Sequence, residues 1–133
     1  MVKQIKLIMA VVIGAYLIIS LQTVSFATSD TYTGYLSDVL CAKNGKSPDG
    51  FNLLKSPEKH TVGCMLMRSC VKSGYGIFIK DGAGQYSFFK FDSKGTKLAK
   101  GLLDQTDRED NMGVKVTGQL VGDTLMVTNL IEI

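Results

Sequence analysis

From Val114 onward the chain alternates. Val114 and Val116 are interleaved with Lys115 and Thr117, and Leu125, Val127 and Ile131 fall on one side of a second run, with Gly122-Asp123 between the two. A strand sends successive side chains to opposite faces, so this period of two predicts a pair of strands joined by a tight turn, with the apolar face turned inward.

The same reading applies upstream. Tyr75 to Lys80 and Tyr86 to Phe91 are aromatic and β-branched runs separated by Asp81-Gly82-Ala83-Gly84, the composition of a hairpin with a short loop. Thr31 to Leu36 suits a first strand, ended by Asp38. Ala42 to Lys55 carries Asn44-Gly45 and Ser47-Pro48-Asp49-Gly50, turn formers that predict a loop.

Ser56-Pro57-Glu58 has the chemistry of a helix start: a serine cap, proline at the first helical position and an acid in the first turn. The predicted helix runs to about Lys72 and stops at Gly74, although Gly63 inside it costs up to about 1 kcal/mol relative to alanine. Thr96 to Leu103 predicts a short helix with Leu98 and Leu102 one turn apart, and Asp107 to Asp110 a solvated loop. The fold class that follows is mainly β with an inserted helix, a small five-stranded OB-like barrel. An open α+β sheet is the rival arrangement.

Residues 1–27 have the grammar of a secretory signal. Lys3 and Lys6 precede an apolar run from Leu7 to Leu21, and Ser25-Phe26-Ala27 places small residues at the cleavage-reading positions. Residues 28–133 then form a single OB-like domain, of a length that can bury its own core. The expected location is periplasmic or secreted, with membrane attachment only through an uncleaved signal. Loss of the signal lowers the formal charge by two from +3, and the remaining lysines are dispersed, which excludes a concentrated nucleic-acid-binding face.

The chain's three cysteines and one histidine, Cys41, His60, Cys64 and Cys70, fall close together in sequence. Cysteines in an oxidising compartment are expected to pair, and an odd number leaves one over. On a continuous helix Cys64 and Cys70 would stand about 9 Å apart, beyond the roughly 7 Å limit for a disulfide, so Cys41 is the expected partner of either. The plainest arrangement is one Cys41 disulfide, one free cysteine, a solvent-facing His60, and Met65 and Met67 as core fillers.

A second arrangement uses the same residues as ligands. His60 and Cys64 are spaced to share one helix face, and with Cys41 and Cys70 they have the composition of a closed Cys₃His zinc site. The neighbouring methionines bring in copper(I), which prefers soft sulfur. Thiol-disulfide chemistry ranks behind both, because no Cys-x-x-Cys pair occurs. Haem attachment is excluded by the lack of Cys-x-x-Cys-His, and Gly82-Ala83-Gly84 lacks the strand-loop-helix setting of a phosphate cradle.

The segments Gly34-Tyr35-Leu36-Ser37-Asp38-Val39-Leu40-Cys41, His60-Thr61-Val62-Gly63-Cys64 to Cys70, and Ser73-Gly74-Tyr75-Gly76 resemble a group of small exported bacterial proteins of uncharacterised function. The tail from Val114 to Asp123 is similar to the closing hairpin of bacterial OB-like proteins. The resemblance implies that the cysteines and histidine act together, as a structural crosslink and a ligand set; it brings no activity with it. The functional expectation is an exported, non-enzymatic binding protein with a metal site at Cys41, His60, Cys64 and Cys70, for zinc or copper. The alternatives are a disulfide-stabilised adaptor for a protein or glycan, with a protein partner in the cell envelope, and a thiol-disulfide redox protein.

Overall fold

The computed structural model describes residues 28–133, and the expected signal segment lies outside them. Five strands carry the fold: β1 (Asp30–Asp38), β2 (Tyr75–Lys80), β3 (Tyr86–Phe91), β4 (Gly113–Val121) and β5 (Thr124–Glu132). The strand predictions hold with small changes at the ends.

β1 is long enough to serve two neighbours. Its first part pairs antiparallel with β4, from Asp30 opposite Gly118 to Tyr35 opposite Gly113, and its second part with β2, from Tyr35 opposite Phe78 to Asp38 opposite Tyr75. β2 and β3 form the hairpin, β3 meets β5 in parallel at Lys90 and Phe91, and β5 returns antiparallel along β4. The pairings therefore run in a closed ring, β1-β2-β3-β5-β4 and back to β1, which gives every strand two partners and runs against the open sheet.

Inside the ring lie Leu36, Tyr75, Ile77, Val114, Val116, Leu125, Val127 and Leu130. Full burial of each large aliphatic side chain is worth about 1.5–3 kcal/mol, so this cluster is the main source of stability. Ile131, expected inward, is exposed, and Leu130 takes its place. The cause is a register shift: Thr117 faces Asn129 while Gly118 faces Val127, leaving Thr128 as an extra residue that reverses the alternation beyond it.

One helix, α4 (Ser93–Gln105), covers the ring; among the described residues three shorter ones precede it. Asp92 caps it by accepting from the Gly95 amide at 2.9 Å, and the same carboxylate accepts from Val127 on β5. Its buried stripe is Gly95, Ala99 and Leu103, with Leu102 partly buried against the same core and Leu98 exposed. A β-carbon on Gly95 would stand 2.5 Å from a Val127 methyl and 2.8 Å from the Phe91 β-carbon, so only glycine permits this approach.

Two expectations between β1 and β2 are overturned. The predicted loop from Ala42 is helical at its start, because Asp38 ends β1 and at once caps α1 (Val39–Asn44); Gly45 closes that helix at φ 69°. The single helix from Ser56 to Lys72 is instead a 3-10 turn (Pro57–Lys59), then α2 (Val62–Met65), then α3 (Arg68–Ser73). His60 and Met67 both hold extended backbone, and Thr61 supplies a new cap, so the helix is interrupted twice. Gly74 ends the last piece as expected.

Candidate metal centre

A second, smaller apolar cluster packs against the outer side of the ring. It contains Cys41, Ala42, Leu53, Cys64, Cys70 and Phe78, whose neighbour Ile77 points to the main core. All three thiols are buried in it, and so is His60, only 1% exposed.

The local structure explains why the thiols converge. Each cysteine is the third residue of a short helix: Cys41 in α1, Cys64 in α2 and Cys70 in α3. The Cys41 amide donates to Asp38 Oδ2 at 2.9 Å, and the Cys64 amide to Thr61 Oγ1 at 3.2 Å, so two of these helix starts are locked by a side-chain cap. The start of α1 is tied to the end of α3, since the Val39 amide donates to the Gly74 carbonyl and the Leu40 amide to Ser73 Oγ. The end of α2 is held by the Tyr75 hydroxyl, which donates to the Met65 carbonyl at 2.8 Å.

The sulfurs of Cys41 and Cys64 and a ring nitrogen of His60 lie within 4.8 Å of one another. A second group, sharing Cys41, joins Asp38, Cys41 and Cys70 within the same limit. The structure thus brings all four sequence-predicted residues together, with Cys41 at the junction and Cys70 beside the first group. It does so without the continuous helix: His60 lies outside α2, and its approach to Cys64 comes from the extended step at residues 60–61.

No disulfide joins the cysteines in this structure, contrary to the expected Cys41 crosslink, and His60 is buried, contrary to the expected solvent-facing position. Met65 is a core residue as expected, but Met67 is 49% exposed.

Asp38 is the residue that sequence reasoning passed over. It was read only as a strand end, although an aspartate three residues before a cysteine is the spacing of a helix cap. Its side chain is fully buried, and His60 Nε2 donates to its Oδ1 at 2.7 Å. Burial pushes the carboxyl group up, but hydrogen bonds from His60 and the Cys41 amide, with Cys70 adding and the His60 charge adding whenever that ring is protonated, outweigh it and hold the group below its ordinary value. Asp38 is therefore a carboxylate that only accepts, which places the proton on Nε2 and leaves Nδ1 with a free lone pair in the neutral ring. Nδ1 is buried and has no hydrogen-bond partner among the described residues.

The thiols stay protonated when nothing else is bound. Burial pushes Cys41, Cys64 and Cys70 all up from their ordinary value, and the Asp38 charge pushes the same way at each. That setting is the reverse of an activated thiolate. A cation in the same place would invert the balance, because a coordinating thiol gives up its proton.

No family model, curated protein or solved structure matches the chain. The reading of the site rests on its geometry and chemistry.

Proposed function

We propose that this domain is a non-enzymatic binding protein that holds one soft metal ion, zinc or copper(I), between Cys41, His60 and Cys64, with Cys70 as a fourth donor. The observation that carries this reading is His60 Nδ1: a buried lone pair without a partner costs about 1–3 kcal/mol, and it sits on a ring whose other nitrogen is anchored to a carboxylate. Carboxylate-histidine pairs of this kind orient metal-ligating imidazoles and raise their basicity. Two soft sulfurs and an imidazole are donors that suit zinc and copper(I) and disfavour magnesium and calcium.

The closed strand order, with β3 parallel to β5 and a helix between β3 and β4, supports reading the scaffold as an OB-like barrel. The secretory grammar of residues 1–27 supports a periplasmic or secreted location and a working partner in the cell envelope.

A second reading is favoured by the place of Cys41. Its sulfur lies within 4.8 Å of both other cysteines, so in an oxidising compartment it would join one of them and give the disulfide-stabilised adaptor. Intact-mass analysis of the exported protein, with metal quantitation, separates the two. About one ion per chain with reduced thiols supports the ligand set. A mass lower by the two hydrogens of a disulfide, without bound metal, replaces it with the crosslinked module.

A further inference from the structure

The buried thiols have a way out. A cleft of about 340 Å³ opens beside α1 and α3, with Cys41 and Cys70 at its floor and Leu40, Ser47 and the exposed Met67 among its walls. It touches the ligand set at Cys70 and at Cys41, the one residue common to both donor groups, and it does not reach His60 or Cys64.

We infer that this cleft is the path by which copper(I) enters and leaves the centre, with the Met67 thioether as its first ligand. The inference rests on the metal-binding reading above and deepens it by naming the ion and its route. Three features support it. Met67, 49% exposed at the cap of α3, lines the cleft together with Cys41 and Cys70, and its sulfur is a neutral soft donor suited to copper(I). Cys70 groups with Asp38 and Cys41 rather than with His60 and Cys64, so Cys41, His60 and Cys64 form an inner set of three donors that suits copper(I) by itself, whereas zinc takes Cys70 or a water as its fourth ligand. Lys46 lies on the cleft wall, and at equal distance it repels a dication twice as strongly as a monocation.

The route is then a sequence of ligand exchanges. The ion passes from an external donor to Met67, next to Cys70 and Cys41, and finally to Cys41, Cys64 and His60, with Cys41 retained in the last step. On entry Cys41 and Cys70 give their thiol protons to water in the cleft; in the last exchange the Cys70–copper bond breaks as the Cys64–copper bond forms, and the proton lost by Cys64 returns to Cys70. Copper stays in the +1 state, so no oxidant or reductant is consumed.

The test follows anaerobic transfer of copper(I) from its coloured bathocuproine disulfonate complex to the reduced, metal-free protein. Met67→Leu should slow transfer several-fold while leaving the final stoichiometry unchanged. Met126→Leu, at a methionine 44% exposed on β5, should load at the wild-type rate. Zinc loading, measured in parallel, should be unaffected by either change. Equal copper rates for Met67→Leu and wild type would overturn the route, as would an equal slowing of zinc, which would mark Met67 as structural. Binding of zinc with exclusion of copper(I) would overturn the inference while sparing the ligand set. Failure to bind either ion would overturn both.

Discussion

His60 Nε2 donates to Asp38 Oδ1 across 2.7 Å with both side chains fully buried, and this one bond fixes the tautomer that gives Nδ1 its free lone pair. It also links two elements distant in sequence, the end of β1 and the step before α2. The carboxylate has a second task, since its other oxygen caps the helix that carries Cys41.

The two tasks separate by substitution. Asp38→Asn keeps an oxygen for the cap and removes the charge, so metal affinity should fall by about 10–100-fold, the usual cost of losing an outer carboxylate. The melting temperature of the metal-free protein should move much less than with Asp38→Ala. That change loses the cap and strands His60 Nε2, for about 2–4 kcal/mol in denaturant unfolding. Equal affinity for Asp38→Asn and wild type would remove Asp38 from the account of the site.

Thiol reactivity checks the protonation state. In the reduced, metal-free domain all three cysteines are buried and pushed up by that burial and by Asp38, so the thiolate fraction is small and access is poor. Alkylation by iodoacetamide at neutral pH should be at least about tenfold slower than in the denatured chain, followed by mass. One cysteine modified at the denatured rate would mark an activated thiol and favour the redox reading.

The pH dependence of the metal-free fold should be bounded on both sides. Asp38 is held below its ordinary value of 3.8, so its contribution is present above about pH 4 and is lost as pH falls through its lower folded value. The thiols are raised above their ordinary value of 9.0, so the unfolded chain sheds those protons first and stability declines as pH rises past about 9. Metal affinity should run the other way across neutral pH, rising as pH rises, because binding expels thiol protons. Urea midpoints of the metal-free form, set beside competition titrations of the loaded form, measure both trends.

The strands were legible because their signal is local: alternation and turn residues sit within each run, as in Val114 to Val116 and at Gly122-Asp123. The helical region was not, since Ser56-Pro57-Glu58 looks like the start of one long helix and nothing short-range marks the extended backbone at His60 and Met67. The first break, at His60, is flanked by distant contacts. The Val62 amide donates to the Glu109 carbonyl and the Asn111 amide to the Glu58 carbonyl, bonds that no local pattern announces. The candidate site was legible in its four residues and not in Asp38. The rule that kept Cys64 from Cys70 also depended on a helix that is interrupted between them.

The register shift in β5 gives a last test, free of any assumption about metal. Sequence alternation alone puts Leu125, Val127 and Ile131 on one side, which would make Leu130 a surface residue. The extra residue at Thr128 instead turns Leu130 inward, 8% exposed, and leaves Ile131 at 41%. Leu130→Ala should therefore cost about 2–4 kcal/mol in denaturant unfolding, the range for emptying a core leucine site, and Ile131→Ala less than about 1 kcal/mol. A reversed order of these two costs would mean that β5 pairs with β4 without the shift, with its final residues facing the opposite way.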